Sequence, residues 1–96
     1  MRVLVCYDVA NTDSDGQRRL RKIAEACRNY GVRVQFSLFE CQIAERDWVC
    51  LRARLLELFD SEQDSLRFYL IGEDSARKTE HHGVRMPVDV KAPLVI

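Results

Sequence analysis

The sequence predicts an α+β fold, one antiparallel sheet with two helices on one of its faces. Three observations carry this. Segments with strand periodicity and segments with helical periodicity alternate along the chain. The first strand is apolar on both sides, as a central strand is. At 96 residues the chain fits one small domain.

Residues 2–9, "RVLVCYDV", read as the first strand, rich in Val. Val3, Val5 and Tyr7 share one face, and Leu4, Cys6 and Asp8 share the other. Both faces are apolar until Asp8. "ANTDSDG" then forms a polar turn. Residues 17–30 carry Leu20, Ile23, Ala24, Cys27 and Tyr30 on one helical face, with Arg18, Lys22 and Glu25 opposite. Asp15 is placed to cap this helix, and Gly31 to end it as a left-handed residue.

"VRVQFSLFECQI", residues 32–43, is extended and too long for one average strand. It either bends at Ser37 into two strands or runs on as one. "AERDWVCLRARLLELFD" is a second amphipathic helix with an inner stripe of Trp48, Leu51, Leu55, Leu58 and Phe59. After the turn "SEQD", residues 65–72 make a further strand. The order is that of a ferredoxin-like βαββαβ sandwich. Residues 1–72 form this core, 73–83 are expected as a mobile loop, and 84–96 as a C-terminal edge strand or tail. That tail ends in the bare apolar "PLVI", which needs a sheet edge to lie against, and a partner's sheet would serve.

Such a sandwich leaves one sheet face without helices. The second apolar face of the first strand therefore needs a cover. A second copy of the chain, joined by a two-fold contact, is the simplest one. A chain this short has a marginal core of its own, which favours pairing.

Composition narrows the chemistry. Fifteen cations balance fifteen anions, so no global field draws the chain to nucleic acid or membrane. No apolar run approaches the ~20 residues of a membrane span. "MRVLVCYD" meets an acid too early for a secretory leader, so the expected location is the cytoplasm. The four cysteines, at 6, 27, 41 and 50, form no C-x-x-C pair, so a zinc site is not expected, and they read as small buried or half-buried side chains of a cytoplasmic protein. His81 and His82 read as surface residues with no third ligand nearby. Gly-rich phosphate loops and nucleophile elbows are absent.

What remains is local. Asp8 is either a turn acid or a ligand for a hard cation, since Mg²⁺ takes carboxylate oxygens together with water and phosphate. One carboxylate is a poor site, but a dimer joined through its first strands would present two. The run "RRLRK" puts four cations into positions 18–22, near a helix start where the dipole favours acids. It is either a solvated face or a patch for phosphates. Arg is used twelve times against three Lys, and its planar fork suits phosphate. Arg33, Gln35 and Ser37 form a polar line that is either exposed or set beside a bound backbone.

"VLVCYDV", "RRLRKIAEAC", "YGVRVQFSLFECQI" and "DSLRFYLIG", in this order, resemble the CRISPR-associated protein two family. The resemblance covers nearly all of residues 1–72, and the "PLVI" ending is similar to type I-C members. It implies a ferredoxin-like homodimer that bridges subunits of the CRISPR integrase and binds double-stranded DNA during spacer acquisition. It also implies metal-dependent endonuclease activity, on RNA or double-stranded DNA, in several members. Carried over, Asp8 is the acid that binds Mg²⁺ or Mn²⁺ and acts in catalysis. Arg18, Arg19, Arg21 and Arg33 are the residues for nucleic acid, Arg33 matching the family's second-strand arginine and Phe39 its "S-x-F" aromatic. The alternative is a regulatory ferredoxin-like module that binds a small molecule and has no nuclease activity.

Overall fold

A computed structural model describes residues 1–10, 13–72 and 77–84 of the chain. Its elements are β1 (Arg2–Asp8), α1 (Ser14–Arg28), β2 (Gly31–Gln35), β3 (Leu38–Gln42), α2 (Glu45–Leu58), β4 (Ser65–Ile71) and β5 (Arg77–Gly83). The strands form one sheet in the order β2-β3-β1-β4-β5, with every neighbouring pair antiparallel. The first four strands and two helices reproduce the expected βαββαβ sandwich, and β1 is its central strand. No described helix is long and apolar enough to cross a membrane.

One face of the sheet holds the core. Val3, Val5 and Tyr7 are buried there with Phe39, Cys41, Leu66 and Phe68 of the neighbouring strands. Ile23, Ala24 and Cys27 of α1 and Trp48, Leu51 and Leu55 of α2 close over them. Trp48 meets Phe68 edge to face, with ring centroids 5.0 Å apart, the geometry that a ring quadrupole favours. The other face presents Leu4, Cys6 and Asp8 of β1 beside Arg67, Tyr69 and Ile71 of β4. No described helix packs on it.

The extended stretch 32–43 resolves into two strands that turn at Phe36 and Ser37. The pairing slips between Arg33 and Gln35, a bulge that ends the hairpin before the turn.

Three local expectations are corrected. Helix α1 begins at Ser14, and its cap is Asp13 rather than Asp15. Asp13 has extended backbone, and its Oδ1 accepts from Gly16 N–H at 2.8 Å. Asp15 lies inside the first turn, where the helix dipole favours an acid. Gly31 does not end α1, because the cap is Asn29 in right-handed backbone. Gly31 instead opens β2, where a Cβ would stand 2.4 Å from the Glu40 carbonyl oxygen, so the strands can close only over a glycine.

The third correction concerns 73–83. Residues 77–83, expected within a loop, form β5 and pair along the whole of β4, from Ser65↔Gly83 to Ile71↔Arg77. The sequence "RKTEHHG" lacks an apolar face, which hides a strand from periodicity. Main-chain pairing to the open edge of β4 supplies what the side chains do not advertise. On the helix side, Arg52 of α2 pairs with Glu80, and His82 reaches the same carboxylate. Except for Val84, the expected edge strand at 84–96 lies outside the described residues.

Candidate metal and nucleic-acid site at the end of the first strand

Asp8 is the last residue of β1 and is exposed on the sheet face that no described helix covers. It stands opposite Ser65, the first residue of β4. Its side chain makes no hydrogen bond or ion pair among the described residues, and the residue is exposed. The next residue, Val9, returns to the core.

The chain after Asp8 is held by a group that sequence reasoning missed. Asp64, at the end of the turn read only as "SEQD", is fully buried. Its Oδ1 accepts from Ala10 N–H at 3.0 Å and from Arg19 Nη2 at 3.2 Å. Its Oδ2 accepts from Arg19 Nε at 2.8 Å and from Asp60 N–H at 2.9 Å. Arg19 Nη2 also donates to the Ala10 carbonyl at 3.2 Å. A buried carboxylate is tolerable only when so fully bonded. An acid directly before an apolar strand was the one signal for it, and that signal is weak.

The expected nucleic-acid residues are thus not equivalent. Arg18 and Arg21 are exposed on α1, with Arg21 3.9 Å from Glu25 one turn on. Arg19 has much of its guanidinium fork committed to Asp64 and Ala10. Arg33, exposed on β2, lies over Phe39 at 5.3 Å from the ring centroid, a cation–π geometry. Phe39 itself is fully buried and stacks with Tyr7 at 6.2 Å. It therefore supports Arg33 from below. Burial pushes the Tyr7 phenol up, with the Arg33 charge opposing it. Register puts Arg33 on the helix face and Asp8 on the other, so one chain does not bring them together.

Asp8 offers the hard anionic oxygens that Mg²⁺ or Mn²⁺ prefers. Among the described residues no group of three or more His, Cys, Asp or Glu is arranged to hold a metal. Asp8 is a single carboxylate, which by itself fits only an ion that keeps most of its waters. A groove of about 440 Å³ between α1 and α2, lined by Lys22, Glu25, Tyr30, Cys50 and Arg54 among others, does not include Asp8.

The family model for CRISPR associated protein Cas2 matches residues 1–79. The chain belongs to the Cas2 family. It is 48% identical over 96 residues to a CRISPR-associated endoribonuclease Cas2 of Chlorobaculum tepidum, covering 100% of both chains. It is 44% identical over 95 residues to a CRISPR-associated endonuclease Cas2 of Halalkalibacterium halodurans, covering 99% of each. The crystal structure of Streptococcus pyogenes Cas2 superposes with a TM-score of 0.71 at 44% identity, covering 77% of this chain and 89% of that one. The Cas2 match extends through β4 and into the start of β5. It thus contains Asp8, the α1 cations, Arg33, Phe39 and Asp64.

Proposed function

We propose that this Cas2 protein works as a homodimer joined through its uncovered sheet faces, and that the pair binds double-stranded DNA and bridges integrase subunits during spacer acquisition. We further propose that the two Asp8 side chains hold one Mg²⁺ or Mn²⁺ and that the dimer hydrolyses phosphodiesters of RNA or duplex DNA. The observation that carries this is the position of Asp8: exposed, unbonded among the described residues, at the end of the central strand on the open face. The names of the similar proteins, endoribonuclease for one and endonuclease for another, support phosphodiester hydrolysis.

A divalent ion bound at this place would supply charge stabilisation at the scissile phosphate and acidify a water. The protein's own part would be to hold the ion with two anionic oxygen donors. Arg18 and Arg21 on α1, and Arg33 braced on Phe39, are exposed guanidinium forks for the DNA backbone. The metal pair and the basic surfaces lie on different faces, so bridging and cutting do not compete for the same residues.

The test is Asp8→Asn, which keeps the shape and removes the charge. Light scattering should give twice the chain mass for both proteins. Cleavage of RNA and duplex DNA, scanned over Mg²⁺ and Mn²⁺ and from acid to alkaline pH, should fall by orders of magnitude in the variant. DNA binding and spacer insertion should persist. A wild-type protein that cuts neither substrate removes the nuclease part. A strict monomer removes the whole reading.

A further inference from the structure

We propose that Arg19 and Asp64 are positioning residues, a clamp that sets how Asp8 presents its carboxylate to a divalent cation. This rests on the reading of Asp8 as a metal ligand and goes beyond it, because it moves Arg19 from the nucleic-acid surface into the support of the metal site.

Asp8 has no side-chain partner among the described residues, so its direction is inherited from its backbone. That backbone is fixed on two sides. Two residues downstream, both polar groups of Ala10 are used: its N–H donates to Asp64 and its C=O accepts from Arg19. Across the sheet, Asp8 pairs with Ser65, the residue that follows Asp64. One buried carboxylate therefore fastens the exit of β1 and the entrance of β4.

A third segment joins them. Val84 N–H donates to the Asp64 carbonyl at 2.9 Å, which anchors the end of β5. Gly83 makes this approach with φ of 93°, and a Cβ there would stand 2.1 Å from that carbonyl oxygen. Arg19 closes the arrangement from α1. Its fork bridges Asp64 and Ala10 together, which a lysine ammonium cannot do. An apolar pair of similar volume would often stabilise a core as well as a buried ion pair does. What the ion pair adds is direction: Arg19 fixes both Asp64 oxygens, and Oδ1 in turn holds Ala10 N–H.

Arg19→Lys separates this role from a phosphate contact, because lysine keeps the charge and still binds phosphate. Cleavage should be measured in the intact protein with kcat, KM, the salt dependence of substrate binding and the Mg²⁺ concentration for half-maximal rate. The clamp predicts a fall in kcat of about tenfold to a hundredfold, since a small misplacement costs that much. It also predicts a higher Mg²⁺ requirement, with KM and salt slope unchanged. Near-wild-type kcat and Mg²⁺ requirement in Arg19→Lys overturn it. Arg19→Met is the second variant. A raised KM with a salt slope flattened by about 0.9 makes Arg19 a phosphate ligand instead. Mn²⁺ broadening of the Asp8 amide resonance gives a readout apart from activity. If wild-type protein cuts nothing, a titration moved to higher Mn²⁺ by Arg19→Lys still upholds the clamp, while an absence of broadening in the wild type overturns it together with the metal reading.

Discussion

Arg19 Nε donates to the fully buried Asp64 carboxylate at 2.8 Å, across 45 positions of sequence, and so ties α1 to the entrance of β4. The arginine side chain keeps only 17% of its surface exposed. The same guanidinium holds Ala10 as well, so its removal reaches the exit of β1.

Removing one partner of a buried pair strands the other. Arg19→Ala should therefore destabilise the protein by about 3–5 kcal/mol in denaturant unfolding. Replacing both residues by Leu should recover much of that loss while leaving Ala10 N–H without its acceptor. A double-mutant cycle measures the coupling. A single substitution that costs less than about 0.5 kcal/mol would show that the pair contributes nothing to stability.

Acid should loosen β5 before it unfolds the core. The side-chain hydrogen bond from Arg52 holds the Glu80 carboxyl below its ordinary value of 4.5, against the opposing effect of burial, with His82 helping. A depressed carboxylate contributes stability that is complete above 4.5 and is lost as pH falls through the lower folded value. Amide exchange in β5 should thus be steady, apart from the intrinsic rate, from neutral pH down to the ordinary glutamate value of 4.5, and should accelerate only as pH falls below it. Glu80→Gln should flatten that acid limb. Salt should weaken the effect, because the pair is a third or more exposed. A profile unchanged by Glu80→Gln would show that the ion pair does not hold β5.

The thiols should separate by burial. Burial pushes Cys27 up to about 12 and Cys6 and Cys41 up to about 11, which leaves little thiolate near neutral pH. Cys50, expected buried or half-buried, is instead exposed, because it falls off the α2 stripe of Trp48, Leu51 and Leu55. A maleimide at neutral pH should label Cys50 within minutes and reach Cys27 and Cys41 only in denaturant. Peptide mapping after short labelling reads the order, and early labelling of Cys27 would contradict the packing of α1 on the sheet.

Arg18 is the cleaner probe of DNA binding, since it is exposed and stands clear of the clamp. Arg18→Ala should weaken duplex binding without changing the melting temperature. The log–log salt slope should flatten by about 0.9, the share of one neutralised phosphate. An unaltered slope returns this arginine to the solvated helix face.

Much of this architecture was legible in the residues alone. The order of periods gave the sandwich, and Val3, Val5 and Tyr7 against Leu4 and Cys6 marked β1 as central. Asp8 was legible because an acid interrupts an apolar strand at one residue. These are local signals, carried by alternation within a few positions. The strand β5 was hidden because main-chain pairing holds it, and backbone hydrogen bonds leave no pattern in "RKTEHHG". The true helix cap was a choice among neighbouring acids that only backbone geometry resolves. Asp64 was hidden for a further reason. Its function depends on donors from Ala10, Arg19 and Asp60, which are far apart in sequence or unremarkable as residue types. The sequence by itself determined the layers, the central strand and the carboxylate at its end. Only the tertiary structure decided which arginine is free and which is committed, because a guanidinium finds its partner by distance and burial, and neither is written in the order of the residues.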